Sequence, residues 1–237
     1  MYKITYKEDI AENMKKLKFN WKIDWKSKLI DLLIVIIGIS IAFKLNTWNE
    51  TINKNNEAQE YIESFYSENK INSENLSQAL NYAEKNKKDI DTLKYLLISK
   101  NYDDSRVKVL VASMMSITDF SPTITTMENI TASGEFDLIK DLELREIIIN
   151  TYKTYSNTLK LEKILTDYIN DYATPYFMKN IRFQDFSSVN NDFKQDPILE
   201  NIVLGYDVLL NQQINGYKNN LERIKKLNKV LSAKINK

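Results

Sequence analysis

The sequence predicts an all-α protein, with an N-terminal transmembrane helix followed by an antiparallel helical bundle with long helices. Three observations favour this fold class. The chain of 237 residues has only 4 glycines and 3 prolines, the residues that most often interrupt helices. Long polar stretches place apolar residues three and four positions apart, as the helices of a bundle do. One stretch near the N-terminus is almost entirely apolar, as a membrane span is.

The apolar stretch covers residues 29–43 and contains two polar side chains, Asp31 and Ser40. With its flanks, residues 25–48, it forms a helix of roughly 36 Å at about 1.5 Å per residue. That length exceeds the hydrocarbon core of a bilayer, about 30 Å thick. We therefore predict a transmembrane helix over residues 25–48; a buried core helix and a cleaved signal peptide are the alternatives.

The flanks of the stretch carry the side chains expected at a membrane interface. Trp21, Trp25 and Trp48 are all three tryptophans of the chain, and they lie on both sides of the apolar residues. Lys44 can extend its amine to the headgroups. The candidate anchor residues are Trp25, Asp31, Gly38, Lys44 and Trp48. Asp31 is a functional candidate because charge is rare inside a span, or it reaches the cytoplasmic interface.

Lysine counts predict the orientation. Residues 9–28 contain six lysines and residues 44–63 contain two. The positive-inside rule then places the N-terminus in the cytoplasm and the domain of residues 49–237 outside the inner membrane, in the periplasm. Residues 1–24 form either a basic helix on anionic lipid or a solvated basic tail.

Composition excludes several kinds of chemistry. The chain has no histidine and no cysteine, which removes the commonest general base, the commonest metal ligands and every disulfide. Its net charge of +1 gives no general attraction to nucleic acid. No phosphate-binding loop or nucleotide fingerprint occurs. We expect no catalytic residues, no metal and no cofactor.

The first long helix of the domain is predicted over residues 51–99. Its apolar or small residues step by four and three, with asparagines completing the series: Ala58, Ile62, Phe65, Asn69, Asn72, Leu76, Ala79, Ala83, Asn86, Ile90, Leu93 and Leu97. This is a heptad seam. It indicates one helix of an antiparallel bundle, and self-association into a homo-oligomer through the seam is the alternative.

Shorter elements follow. A turn over residues 101–105 precedes a helix over 106–117 and a loop over 119–126. Thr125 and Glu128 have the spacing of a capping box that opens a short helix, and Gly134 closes it. Asp141 is the predicted N-cap of a helix that runs to about Tyr172.

The C-terminal part contains an irregular stretch and a last helix. Residues 174–196 carry several aromatics, which either pack over the end of the bundle or contact a partner or the bilayer. Asp196 and Pro197 start a helix to about Ile235. The predicted buried face of the helix after Asp141 is Leu144, Ile148, Tyr152, Tyr155, Leu159, Ile169 and Tyr172. That of the last helix is Leu199, Val203, Tyr206, Leu210, Ile214, Tyr217, Leu221, Ile224, Leu231 and Ile235.

Two stretches of the chain carry distinctive motifs. The first is Ile37-Gly38-Ile39-Ser40-Ile41-Ala42 with Asn46-Thr47-Trp48-Asn49-Glu50. The second is Thr126-Met127-Glu128-Asn129-Ile130 through Ser133-Gly134, then Leu138-Ile139, Asp141, Leu144-Arg145 and Tyr152. Both stretches resemble an uncharacterised bacterial family of single-pass membrane proteins that is catalogued only as a domain of unknown function. The family has Thr-Tyr at Thr126-Met127 and paired tyrosines at Thr151-Tyr152. The resemblance implies a membrane anchor, a helical domain and no assigned activity.

The central motif is a candidate for interaction with a partner. It comprises Glu128, Ser133, Gly134, Asp137 and Arg145. A role in ligand contact at a corner between helices is one interpretation, and helix capping with Gly134 at positive φ is the other.

Two functions fit this sequence best, and a hydrolase that uses a serine with a lysine or a pair of aspartates is a third alternative. The first is a membrane-anchored helical binding, sensor or scaffold module that meets an unknown protein or small molecule. The alternative is an oligomeric membrane effector whose transmembrane helices assemble or perturb the bilayer, which Asp31, Ser40, Lys44 and the asparagines of the seam motivate.

Overall fold

A computed structural model describes residues 24–189 and 191–235 of the chain. The chain divides into two compact units, Met1–Asn53 and Lys54–Lys237. The basic N-terminal segment predicted over residues 1–24 lies outside the described residues except for Asp24, and so does Trp21. Helix makes up 83% of the structure and strand 2%, so the predicted all-α fold class is confirmed.

The helices follow one another with short connections. They are α1 (Trp25–Ile98), α2 (Arg106–Ser113), α3 (Thr125–Ser133), α4 (Leu142–Tyr168), α5 (Thr174–Asn180) and α6 (Pro197–Ile235). A π-helical segment, Ile169–Ala173, joins α4 to α5, and 3-10 turns cover Glu135–Leu138 and Phe193–Gln195. Two short antiparallel strands, β1 (Ile181–Arg182) and β2 (Ser187–Ser188), pair Ile181 with Ser188.

Contacts between α4 and α6 establish that these helices are antiparallel. Lys234, near the end of α6, donates to Asp141 at the start of α4 at 2.6 Å. Tyr168, at the end of α4, donates to the carbonyl oxygen of Ile202 near the start of α6 at 3.1 Å.

The second unit has four segments that run alternately up and down. The part of α1 that lies in this unit runs antiparallel to α6, because Glu84 pairs with Lys218 and Lys94 pairs with Asp207. The second segment, from α2 to α3, returns to the end of the bundle at which α1 enters. The predicted antiparallel bundle is therefore correct, but its second segment is broken in the middle.

The seam of the first long helix is confirmed from Phe65 onward. Its buried members are Phe65, Asn69, Asn72, Leu76, Ala79, Ala83, Asn86, Ile90, Leu93 and Leu97. Ala58 and Ile62 are half-buried. These side chains lie in the core of their own chain, so the seam serves the bundle, as the first of the two interpretations held.

The buried face of α6 matches the prediction for nine of its ten residues, and Ile235 is half-buried. On α4 the prediction was wrong at Leu159, which is exposed, and on the π segment at Tyr172, which is exposed as well. Thr158, Glu162 and Leu165 are buried in their place. The error arose because the prediction followed apolar residues, whereas this part of the core is partly polar.

The second segment is interrupted between α2 and α3. The helix predicted to reach Ile117 ends at Ser113, and residues 116–124 are irregular. Pro122 lacks a backbone N–H, and β-branched residues surround it, which disfavours helix here. Met114 and Phe120 are nevertheless buried, so the irregular stretch is part of the core.

The N-terminus of α3 differs from the predicted capping box. Ile124 occupies the N-cap position and makes no side-chain capping bond, while Thr125 is the first residue of the helix. The C-terminus agrees with the prediction, because Gly134 ends α3 with φ 73°, in the left-handed region. Asp141 is the N-cap of α4, and its carboxylate accepts from the Leu144 amide at 3.1 Å.

Residues 174–180 are helical, although the sequence predicted an irregular stretch from residue 174. Pro175 lies at the start of α5, directly after the π-helical segment. A proline ring clashes with the carbonyl of the residue four positions earlier, and the wider π turn provides the room that an α turn lacks. The chain therefore stays helical through Pro175. Tyr176, Phe177 and Phe193 are buried, while Phe183 is 45% exposed.

Two glycines inside α6 lie where side chains of α4 come close to the α6 backbone. A Cβ atom on Gly205 would lie 2.2 Å from the Tyr168 hydroxyl oxygen, and one on Gly216 would lie 2.7 Å from Leu161 Cδ1. The two glycines are three turns apart, so they lie on the same face of α6. Glycine inside a helix costs about 1 kcal/mol relative to alanine, and close packing explains its presence here.

Candidate functional site

The candidate anchor lies in the first unit. Among the described residues, α1 is the one helix that is long and apolar enough to cross a membrane, and none of that stretch is buried in the protein. Trp25 is 75% exposed and Trp48 is 64% exposed. The large apolar side chains between them are exposed as well: Leu29, Ile30, Leu32, Leu33, Ile34, Val35, Ile36, Ile37, Ile39, Ile41, Phe43 and Leu45.

The polar side chains of this stretch differ in their partners. Ser40 donates to the carbonyl oxygen of Ile36 at 2.7 Å, so its hydroxyl is satisfied within the helix. Asp31 lies 4.0 Å from the Lys28 amine, and both side chains are largely exposed. Gly38 has open space around the position of a Cβ atom.

The candidate interaction motif forms a corner between α3 and α4 that contacts α1. Tyr61 of α1 donates to Glu135 at 2.6 Å and lies 3.5 Å from the Ser133 hydroxyl. Asp137 accepts from Arg145 at 2.5 Å. The structure thus brings Ser133, Gly134, Asp137 and Arg145 to one corner. Glu128 is exposed on α3, and among the described residues its carboxylate has no hydrogen-bond partner.

Hydrogen bonds at this corner lower the pKa of two carboxyl groups. The bond from Tyr61, with one from Ser133, lowers the pKa of Glu135. The bond from Lys234, with the backbone bond from Leu144, lowers the pKa of Asp141. Both carboxylates are therefore held in their charged form by partners from the same chain, as expected for a structural corner.

A second polar cluster is buried beneath the corner. Glu68 of α1 accepts from the Thr126 amide at 2.8 Å and from the Tyr152 hydroxyl of α4. Asn69 accepts from the Tyr155 hydroxyl at 2.5 Å. Burial, together with the bond to Glu68, raises the pKa of Tyr152. This cluster joins α1, α3 and α4.

Two further side chains form hydrogen bonds with the backbone of the irregular stretch, residues 116–124. Both the amide and the carbonyl of Thr123 bond to the Asn72 side chain, at 2.8 and 2.7 Å. Glu162 of α4 accepts from the Phe120 amide at 2.7 Å and from Tyr217 at 2.5 Å. Burial raises the pKa of Glu162, although these two hydrogen bonds act in the opposite direction.

The third asparagine of the seam reaches α6. Asn86 donates to the Tyr206 hydroxyl at 2.7 Å, and burial raises the pKa of Tyr206 to about 12. Nearby, Asp207 accepts from Lys94 at 2.6 Å and pairs with Lys87 at 3.1 Å. Each of the three seam asparagines thus forms at least one hydrogen bond within the chain.

A polar groove lies on the surface between α4 and α6. Its larger lobe has a volume of about 660 Å³ and its smaller lobe about 200 Å³. Arg223 and Lys226 line both lobes, and Glu143 and Glu146 line the smaller one. Sequence reasoning missed this groove, because its residues belong to two helices about 70 positions apart.

Sequence reasoning also missed the buried carboxylates. Glu68 and Glu162 lie next to predicted core positions, and a charged residue beside an apolar face is the signal that could have identified them. Their oxygens accept hydrogen bonds from the chain itself. Within the described residues, no three acidic side chains converge in a way that could hold a metal ion.

Comparisons with protein-family models, with curated proteins and with solved structures give no significant match. The resemblance to a family of single-pass membrane proteins therefore remains a prediction from the sequence.

Proposed function

We propose that this protein is a membrane-anchored helical binding module, a sensor or scaffold without catalytic activity. Residues 25–48 cross the inner membrane of a bacterial cell once, and the helical domain binds a partner outside the cytoplasm. The observation that carries the proposal is that the apolar stretch of α1 is fully uncovered and belongs to the same helix as the buried seam.

Free-energy estimates favour insertion of the stretch into lipid. Each large apolar side chain contributes about −0.3 to −0.6 kcal/mol at the centre of a membrane helix, so the twelve between Trp25 and Trp48 contribute about −4 to −7 kcal/mol. Asp31 opposes this by at most about 3.5 kcal/mol, and by less because it lies near one end. If the stretch stays in water, each of these side chains lacks the stabilisation of about 1.5–3 kcal/mol that its burial would contribute.

The lysine distribution supports the orientation. Six lysines lie in the window of residues 9–28 and two in the equally long window of residues 44–63, and under the positive-inside rule this asymmetry favours a cytoplasmic N-terminus. The internally bonded Ser40 hydroxyl is compatible with a lipid environment, because it presents no unpaired donor.

A non-enzymatic role is supported by the residue types that the chain lacks and by the hydrogen bonds of its buried carboxylates. The chain lacks histidine and cysteine. The buried carboxylates Glu68 and Glu162 are occupied by backbone amides and tyrosine hydroxyls, which suits them to holding the bundle together.

Topology is the test of this proposal. A reporter that is active only in the periplasm, fused after Lys237, should give signal, while a cytoplasmic reporter at the same position should not. The protein should also stay in the membrane pellet after extraction at alkaline pH. As a control, Leu33→Glu/Ile36→Lys should move it to the soluble fraction. A cytoplasmic signal would contradict the orientation, and release of the unaltered protein would contradict the anchor.

The alternative, an oligomeric membrane effector, depends on polar residues in the span. The seam asparagines have partners within the chain, which leaves Asp31 and Lys44 as its support. The mass of the detergent-solubilised protein distinguishes the two proposals. A monomer whose expression leaves the membrane potential intact excludes the effector, and an oligomer that depends on Asp31 favours it.

A further inference from the structure

We propose that the groove between α4 and α6 binds a small ligand that carries a phosphate beside an ammonium group, the chemistry of a phosphoethanolamine moiety. This inference rests on the proposed binding function and names the ligand class. Its support is the set of charges that line the groove and the fact that Arg223 and Lys226 form no ion pair with the described residues.

Two positive side chains lie at the junction of the lobes. Arg223 and Lys226 are one helical turn apart on α6, and both line the larger and the smaller lobe. Two adjacent cations match a phosphate dianion better than a single carboxylate, and arginine and lysine are the residues that most often bind phosphate.

These cations have no counterion among the described residues. Neither Arg223 nor Lys226 has a carboxylate oxygen within 4.0 Å, although lysines elsewhere on the same helix do, namely Lys218 with Glu84 and Lys234 with Asp141. Arg223 and Lys226 thus line the groove without forming an ion pair with the acidic side chains that the structure describes there. An incoming phosphate can therefore pair with them without displacing an existing ion pair.

Carboxylates in the smaller lobe make a simple anion a poor ligand. Glu143 and Glu146 lie nearly one turn apart on α4 and line the lobe that Arg223 and Lys226 also line. Their charge repels a free phosphate but attracts an ammonium group that is attached to it. A ligand with both groups pairs with all four side chains, whereas inorganic phosphate or an amine pairs with two and is repelled by the others.

Neutral polar groups line part of the larger lobe. Thr154, Asn157 and Asn219 supply hydroxyl and amide donors for phosphate oxygens. Beneath them, Asn220 donates to the Thr158 hydroxyl at 3.2 Å, which orients that lining side chain.

The larger lobe also contains one carboxylate, that of Glu222. It repels a free anion and attracts an ammonium group attached to the phosphate, as Glu143 and Glu146 do. Leu161 in the larger lobe and Ile147 in the smaller one are the apolar side chains of the walls.

Two sources can supply this chemistry: a soluble phosphoethanolamine and the headgroup of phosphatidylethanolamine. The first binding experiment uses the full chain in a non-ionic detergent at constant ionic strength, with O-phosphoethanolamine as the probe in calorimetry. We expect saturable binding to one site. Inorganic phosphate has only the anionic group of the probe and ethanolamine only the ammonium group, so each should bind at least about tenfold more weakly than O-phosphoethanolamine.

Charge variants locate the site. Arg223→Gln/Lys226→Gln should weaken binding by about 10- to 100-fold, since each charged hydrogen bond contributes roughly a factor of ten or more. Lys225→Gln/Lys229→Gln makes the same charge change on the same helix outside the groove and should alter affinity less than about threefold. Glu143→Gln/Glu146→Gln should abolish the preference for O-phosphoethanolamine over phosphate. Thermal unfolding of each variant verifies that the bundle is intact.

The source is identified with the full chain in nanodiscs. If the lipid headgroup is the ligand, phosphatidylethanolamine in phosphatidylcholine nanodiscs should reduce the apparent affinity for the soluble probe in the unaltered protein but not in Arg223→Gln/Lys226→Gln. If the soluble molecule is the ligand, the lipid should have no effect. Absence of probe binding, or binding that survives Arg223→Gln/Lys226→Gln, overturns the inference. Because calorimetry in detergent needs no insertion into a bilayer, this failure is separate from failure of the topology test.

Discussion

The bundle departs from regular helix in two places, and the two are accommodated differently. Residues 116–124 leave helical geometry entirely, and side chains from α1 and α4 bond to the backbone groups that are released there. At Ile169–Ala173 the helix only widens by a π turn, and the backbone stays bonded to itself. A break in a buried segment therefore demands polar residues on neighbouring helices, while a widened turn demands only space.

The largest effect is expected at Glu68, which bonds to the backbone beside the break. Glu68→Ala leaves the Thr126 amide and the Tyr152 hydroxyl without their acceptor in a buried place, which should lower the free energy of unfolding by about 3–5 kcal/mol. Urea unfolding followed by circular dichroism measures it. Glu60→Ala, an exposed site on the same helix, should change stability by less than about 0.5 kcal/mol. Equal effects of the two changes would show that the buried bonds contribute nothing.

A smaller loss is expected at Asn72. Asn72→Ala removes both bonds to Thr123, but Thr123 is itself exposed, so water can replace part of what is lost. We expect about 1–2 kcal/mol of destabilisation and faster amide hydrogen exchange in the irregular stretch. Asn75→Ala, exposed one turn further on, is the matched control. Unchanged exchange at Thr123 would contradict the proposed role of Asn72.

The contact between Gly205 and Tyr168, the last residue before the π turn, can be tested by substitution. Gly205→Ala should lower the free energy of unfolding by a net value of roughly 1 kcal/mol, because Tyr168 must move and lose its bond to Ile202. The cost of this movement exceeds the gain of about 1 kcal/mol that comes from replacing glycine with alanine inside a helix. In a Tyr168→Ala background the same Gly205→Ala change should be stabilising. A thermodynamic cycle of the four proteins measures the coupling, and effects that simply add would contradict the contact.

The smallest effect is expected at Glu162 and depends on pH. Its pKa in the folded protein is raised above 4.5, so the fold favours the protonated carboxyl. The stability it contributes is present below pH 4.5 and is lost as the pH rises through the folded pKa. Glu162→Gln keeps an oxygen for Phe120 and Tyr217, so it should be more stable than the unaltered protein at pH 8, by up to about 1 kcal/mol, and nearly equal at pH 4.

Unfolding at the two pH values measures this difference, in which other titrating groups cancel. Glu146→Gln, an exposed site on the same helix, should show little dependence on pH. A stability gain for Glu162→Gln that is larger at pH 4 than at pH 8 would reverse the sign and contradict the raised pKa.

Much of the regular structure could be predicted from the sequence because it depends on local patterns. The heptad steps from Phe65 to Leu97, the Asp141 cap and the Asp196-Pro197 start each involve neighbours within a turn or two. The irregular residues could not be predicted in the same way. An irregular stretch was predicted from residue 174, but residues 174–180 are helical, since the sequence does not reveal whether a neighbouring helix leaves room for a π turn before Pro175.

The polar interior and the groove depend on pairs that are distant in sequence. Asn72 completes the seam in the sequence pattern, but its partner, Thr123, lies 51 residues further along the chain. Arg223 and Lys226 lie near the basic C-terminal end of α6, where cations are common on any helix. Only the return of α6 alongside α4 places them opposite Glu143 and Glu146.

The length of α1 has a consequence for how the chain is made. Ribosomes synthesise α1 before α6, and the later part of α1 meets α6 through pairs such as Asn86 with Tyr206, which are separated by 120 residues. The part of the seam around Asn86 therefore stays uncovered by α6 until that helix has left the ribosome. A chaperone that shields this amphipathic helix during synthesis would protect the chain from aggregation at the stage when it is most vulnerable.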